Sequence, residues 1–251
     1  IAEETPGYSG ADIANLVNEA AILAARRKKT QIGPDEFGEA VDRVLAGPEL
    51  KSKVVSPKEK EIAAYHEAGH ALVGKYTEGA DQPQKITIVP RGRMGGFTRF
   101  NPKDRSYATK KELRAHLAVA MGGRAAEETQ FGPEEISTGA SDDLEKATKI
   151  ARKMVTRWGM SKKLGHRTFG NPQELVFLGR ELHEERDYSD EVATKIDKEV
   201  ADLLDQAYKN AVTLITTPIY RKTLERIAQY LISHETVEGE ELNKLFEEPV
   251  E

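Results

Sequence analysis

The chain contains no cysteine, so disulfides, thiol nucleophiles, iron–sulfur clusters and Cys-ligated zinc are excluded together. Any metal must be held by His, Asp or Glu. Long hydrophobic runs are also lacking: the longest charge-free apolar stretch, residues 210–220, falls far short of the roughly 20 residues a membrane-spanning helix needs. No basic start followed by an apolar run marks a signal peptide. An excess of positive charge is missing too. Lys and Arg number 37 against 42 Asp and Glu, a formal net charge of −5, which gives no general attraction to nucleic acid or anionic lipid. With 251 residues, 38% hydrophobic and 31% charged, the chain has enough apolar material for one large or two modest folded domains with a heavily charged surface.

Helical periodicity accounts for most of that material. Ile13, Leu16, Val17, Ala20, Leu23 and Ala24 predict a helix over 9–27, and Phe37, Val41, Val44 and Leu45 predict a second over 34–44. Gly47 and Pro48 end it. So short a helical pair makes little core of its own, and it reads as the tail of another domain (1–47), joined by a linker (48–57) to the remainder (58–251). Further helices are predicted over 58–76, 110–128, 144–158, 189–215 and 220–232. Between the first two of these, Ile86-Thr87-Ile88-Val89-Pro90 and Phe97-Thr98-Arg99-Phe100 flank a Gly-rich turn and predict a small β element. The fold class expected is mainly α with a small β element.

His66-Glu67-Ala68-Gly69-His70 fits H-E-x-x-H. Residues four apart share a helix face, so both imidazoles can reach one Zn²⁺, while Glu67, about 100° round the helix, can act as general base. Such a match arises by chance in about one chain per hundred of this length. Its placement in a predicted helix argues against chance, and so does Gly69, kept where a helix interior loses about 1 kcal/mol relative to Ala. Close packing at Gly69 is the expected reason. A catalytic zinc takes three protein ligands. Spacing leaves the third open among Glu127 and Glu128, after Gly122-Gly123-Arg124, and Asp143. Asp142 and Asp143 have a plain alternative role, as acids favouring a helix N-terminus.

Several segments, in order, resemble the FtsH family of membrane-anchored, ATP-dependent zinc proteases. They are His66-Glu67-Ala68-Gly69-His70-Ala71-Leu72-Val73, Thr87-Ile88-Val89-Pro90-Arg91-Gly92, Gly122-Gly123-Arg124-Ala125-Ala126-Glu127-Glu128, Ser137-Thr138-Gly139-Ala140-Ser141-Asp142-Asp143-Leu144 and Phe177-Leu178-Gly179-Arg180. Thr5-Pro6-Gly7-Tyr8-Ser9-Gly10-Ala11-Asp12 is similar to the end of that family's AAA ATPase lid. The resemblance implies a lid remnant followed by a helical peptidase domain, with zinc held by His66, His70 and Asp143 and Glu67 as base. Asp142 stands where the family commonly has Asn. It further implies unfolded or membrane-protein substrates, a homo-oligomer (a hexamer), and a place on the cytoplasmic side of the cell membrane. No G-x-x-x-x-G-K-[ST] phosphate loop occurs in these residues, so ATP is expected to act only through an ATPase core they lack.

Two readings of the first strand stand. Ile86, Thr87, Ile88 and Val89 form an edge that aligns an extended substrate by main-chain pairing, or they form an internal strand; Pro90 favours an edge or a strand end. The rival functional class is a non-catalytic oligomerisation module with a structural zinc. An acid poised as Glu67 is has no use in such a site.

Overall fold

The computed structural model describes residue 5 and residues 7–50, 54–92, 94–102, 107–170 and 187–247. The Phe177-Leu178-Gly179-Arg180 segment lies outside them. Two short helices come first, α1 (Gly10–Arg26) and α2 (Pro34–Ala46). Ser9 caps α1, its hydroxyl accepting from the Asp12 amide while the Asp12 carboxylate accepts from the Ser9 amide. Leu16, Ala20, Leu23, Ala40 and Val41 close a small core of their own between the pair.

Helix α3 (Pro57–Tyr76) begins at a second reciprocal cap, Ser56 with Glu59, reinforced by proline at the first helical position. Then come β1 (Gln82–Thr87), β2 (Phe97–Asn101), α4 (Lys110–Phe131), α5 (Ser141–Thr156), α6 (Asp190–Thr216), α7 (Pro218–His234), β3 (Thr236–Glu238) and α8 (Gly239–Glu247). The mainly α expectation holds: among the described residues there are eight α-helices and three short strands. Helix α3 is buried from Ala64 to Gly74 because it packs on α4, α6, α7 and the sheet. Burial on all sides explains why its apolar and polar residues follow no single stripe.

The antiparallel sheet has the order β2-β1-β3. This corrects the edge-strand reading of Ile86–Val89. Ile86 pairs with Thr98 on one side and Val237 on the other, and Thr87 pairs with Phe97 and Thr236. The Ile88 amide donates to the Glu235 carbonyl at 2.9 Å, and the Val89 amide donates to the Thr87 hydroxyl at 3.2 Å. The strand is internal because residues 236–238, about 150 positions later in the chain, return to cover it. It also starts earlier than expected, at Gln82, and ends at Thr87.

Glycines fix the α3–α4 crossing. A Cβ on Gly69 would lie 2.4 Å from the Gly122 carbonyl oxygen and 2.6 Å from the Ala126 Cβ, and one on Gly122 would lie 2.7 Å from the Gly69 oxygen. The two backbones touch there, and the close packing expected at Gly69 is present.

Candidate metal centre

Contact between the α3 and α4 backbones brings His66 and His70 of α3 against the α4 face that carries Val119, Gly123 and Glu127, which lie four residues apart along it. His66 Nδ1 lies 2.6 Å from Glu127 Oε1, and His70 Nδ1 lies 2.7 Å from the Val119 carbonyl oxygen. Both partners are acceptors, so both Nδ1 atoms carry the hydrogen. The two Nε2 atoms are thereby turned to face each other across 3.0 Å. Asp143 Oδ2, from the first turn of α5, lies 3.4 Å from each of them.

Three such donors so close call for a cation among them, either a proton or a metal ion. Donors on a tetrahedral zinc at about 2.0–2.2 Å stand about 3.3–3.6 Å apart, which the two 3.4 Å separations match and the 3.0 Å one approaches. His66, His70 and Asp143 could therefore hold Zn²⁺, and no other His/Asp/Glu cluster of three donors occurs among the described residues. Gly123 makes the space: a Cβ there would lie 2.5 Å from His66 Nε2 and 2.6 Å from His70 Nε2.

Electrostatics agree with the donor set. Burial works against a charge on His66, but hydrogen bonds to Asp143 and Glu127 outweigh it and push the imidazole up to about 10. Burial would raise Asp143, yet the two histidines outweigh it and hold its carboxyl well below the usual carboxylate range. Surroundings that so favour a proton between these groups favour a metal cation in its place. Burial raises the Glu67 carboxyl above its ordinary value, against the opposing pull of His66, His70 and a hydrogen bond from Thr98. Glu67 is 7% exposed, and its Oε2 accepts from Thr98 Oγ1 at 2.9 Å.

The remaining acids fall elsewhere. Asp142 is 63% exposed at its side chain and pairs with Lys146 at 2.5 Å, on the solvent side of α5. Glu127 stands behind His66, its carboxylate accepting from the Ser137 amide (2.7 Å) and hydroxyl (3.1 Å). From there it would orient the His66 imidazole in place of meeting a metal itself. Glu128 accepts from the Tyr208 hydroxyl of α6 and ties two helices together. Sequence reasoning missed the parts played by Gly123 and Thr98. For Gly123 the signal was present as two consecutive glycines inside a helix, whereas nothing local marks Thr98.

Comparison with known proteins now decides the family. Residues 53–245 match the sequence model described as "Peptidase family M41". The chain belongs to that family. Residues 1–39 of this M41 chain also match the "AAA+ lid domain". It is 56% identical over 250 residues to ATP-dependent zinc metalloprotease FtsH 1 of Sphaerobacter thermophilus, covering 99% of this chain and 38% of that protein. Identity is 54% over 249 residues with ATP-dependent zinc metalloprotease FtsH of Rubrobacter xylanophilus (99% and 38%). It is 47% over 251 residues with the protein of that name from Ruminiclostridium cellulolyticum (100% and 40%). The M41 chain thus spans about two fifths of the length of the curated relatives it matches.

Proposed function

We propose that this chain is a zinc-dependent endopeptidase in which His66, His70 and Asp143 hold Zn²⁺ and Glu67 is the general base. The observation that carries the reading is the pair of Nε2 atoms 3.0 Å apart, each 3.4 Å from Asp143 Oδ2, with the buried Glu67 carboxylate on the same helix. Zinc held there would supply Lewis acidity, acidifying a water and polarising the scissile carbonyl. The protein's own work is proton transfer. Glu67 Oε2 is engaged by Thr98, so Oε1 is the oxygen free to take the proton of the attacking water. That proton then passes to the leaving amine nitrogen, restoring the carboxylate.

An extended substrate pairs along β2, the terminal strand of the order β2-β1-β3, whose Thr98 reaches Glu67. Main-chain pairing of this kind recognises extended polypeptide with little regard to sequence. In the longer protein, residues 1–47 act as part of an ATPase lid that delivers unfolded or membrane-derived chains, within a membrane-anchored hexamer on the cytoplasmic side. These last points rest on the family resemblance. The alternative of a non-catalytic oligomerisation module has no observation in its favour. No helix among the described residues is long and apolar enough to cross a membrane.

The test is hydrolysis of an intrinsically unstructured protein by this chain. Cleavage is expected without nucleotide, abolished by a zinc chelator and restored by Zn²⁺. Metal-free protein that cleaves as fast as the zinc-loaded form would end the proposal.

A further inference from the structure

Strand β2 has business on both faces. On one, Thr98 Oγ1 lies 2.9 Å from Glu67 Oε2 and 3.0 Å from the Glu67 carbonyl oxygen, so one hydroxyl hydrogen is shared between the carboxylate and the backbone of the same residue. Among the described residues, Thr98 is the only side chain that hydrogen-bonds the Glu67 carboxylate. The backbone just before the strand also runs close to that side chain, since a Cβ on Gly96 would lie 3.1 Å from Glu67 Cγ and 2.6 Å from the Thr87 carbonyl oxygen.

On the opposite face, the next residue, Arg99, reaches back to the helical pair that precedes the peptidase region. Arg99 Nη1 lies 3.0 Å from Asp42 Oδ1, and Lys85 Nζ, from the register partner of Arg99, lies 2.8 Å from Asp42 Oδ2. Asp42, on α2, is fully buried beneath these two cations. One helical turn earlier, Glu39 receives both Arg91 nitrogens, at 3.0 and 2.8 Å. Helix α2 is therefore fastened to the back of the sheet that presents Thr98 at its front.

We propose that Thr98 is the positioning residue for the Glu67 carboxylate, and that Asp42 of α2, by anchoring Arg99, holds the strand that presents it. The inference rests on the reading of Glu67 as general base. A terminal carboxylate torsion is broad and soft, so without a partner the Glu67 carboxylate has no fixed orientation towards the water it must deprotonate. The Thr98 bond removes that freedom. Through Asp42, a displacement of the lid helices alters the catalytic base by moving one strand, without touching the metal ligands.

The experiment measures kcat and KM on an unstructured fluorogenic peptide, with zinc content for each protein. Glu67→Gln comes first: if it still cleaves, the base assignment fails, and this inference with it, whatever Thr98 does. Thr98→Val, which keeps shape and loses the hydroxyl, is expected to lower kcat by about ten- to a hundredfold, the range of a misplaced catalytic group. KM and zinc content should stay unchanged. Thr98→Ser should restore most of the rate, and a crystal structure of zinc-loaded Thr98→Val should show the Glu67 carboxylate rotated from its place. A Thr98→Val rate within twofold of the parent, a Ser variant as slow as Val, or an unmoved carboxylate would each overturn the assignment. Asp42→Asn, or Arg99→Gln should the first fail to fold, is expected to lower kcat with zinc retained, and to cost nothing more when combined with Thr98→Val. Unchanged rates in both, or losses that multiply with that of Thr98→Val, would overturn the role given to Asp42.

Discussion

Adding one methyl group at Gly123 should abolish tight metal binding while leaving the fold in place. The alanine Cβ would sit 2.5 Å from both Cε1 and Nε2 of His66 and 2.6 Å from His70 Nε2. Non-bonded contacts settle at about 3.5 Å, so either helix α4 or the two rings must yield by about 1 Å. The helix cannot move, because α3 and α4 already touch at Gly69 and Gly122. The rings are pinned at Nδ1 by Glu127 and Val119. Ligand positions tolerate about 0.2 Å. A fivefold larger displacement of two of three ligands exceeds the loss of one orienting partner, which costs about 10–100-fold in affinity. Gly123→Ala should therefore weaken zinc binding by more than about 100-fold. The metal-free protein should lose no more than about 2 kcal/mol of stability: overpacking costs about 1–3 kcal/mol, offset by about 1 kcal/mol from replacing glycine inside a helix. Competition against a fluorescent zinc chelator gives Kd, and circular dichroism melting of the apo form gives stability. A folded Gly123→Ala protein that binds zinc within threefold of the parent would refute this account of the cradle.

Asp143→Ala should strip zinc on dialysis against a chelator, whereas Asp142→Ala should keep it, because only Asp143 approaches the imidazoles; the reverse pattern, read by mass spectrometry, would shift the ligand by one residue. Glu127→Gln, which loses the charge behind His66, should lower zinc affinity by about 10–100-fold, as other orienting carboxylates do, and equal affinity would deny it that part. Burial would raise the Glu39 carboxyl, but Arg91 outweighs it and holds it below the ordinary carboxylate value. A lowered folded-state pKa gives stability that is complete above the unfolded value, about 4.3, and lost as pH falls through the folded one. Hydrogen-exchange protection of α2 should accordingly decline more below about pH 4.3 in the parent than in Glu39→Gln, which keeps only the decline due to Glu36, held down to about 2 by Lys29 and Arg27; equal decline in both would refute it.

Much of this was legible in the sequence. Helical periodicity located α1, α2, α5, α6 and α7, because each turns an apolar stripe to a core, whereas α3 and α4 are buried on several sides. His66, Glu67 and His70 were legible because four-residue spacing on a helix is itself the geometry of the site. What failed to show was whatever depends on contacts distant along the chain. Spacing could not choose among Glu127, Glu128 and Asp143, since all three stand near helix segments that fold towards α3. Only the crossing at Gly69 and Gly122 turns Glu127 behind His66 and leaves the metal face to Asp143. Strand β1 stayed open between an edge and an internal place because β3 is three residues long and lies beyond α7, too brief to show a pattern. Thr98 gave no local sign, because its significance comes from pairing with Ile86, which sets it over Glu67.

The central claim is that Glu67 removes a proton at a zinc site built by His66, His70 and Asp143, and Glu67→Gln tests it most directly. The amide fills the same volume and cannot accept a proton. Metal content and peptide hydrolysis measured on one homogeneous preparation should show zinc retained at one ion per chain and turnover reduced by about 10²–10⁴-fold, the usual loss on removing a general base. Turnover near that of the parent, with zinc in place, would contradict the account.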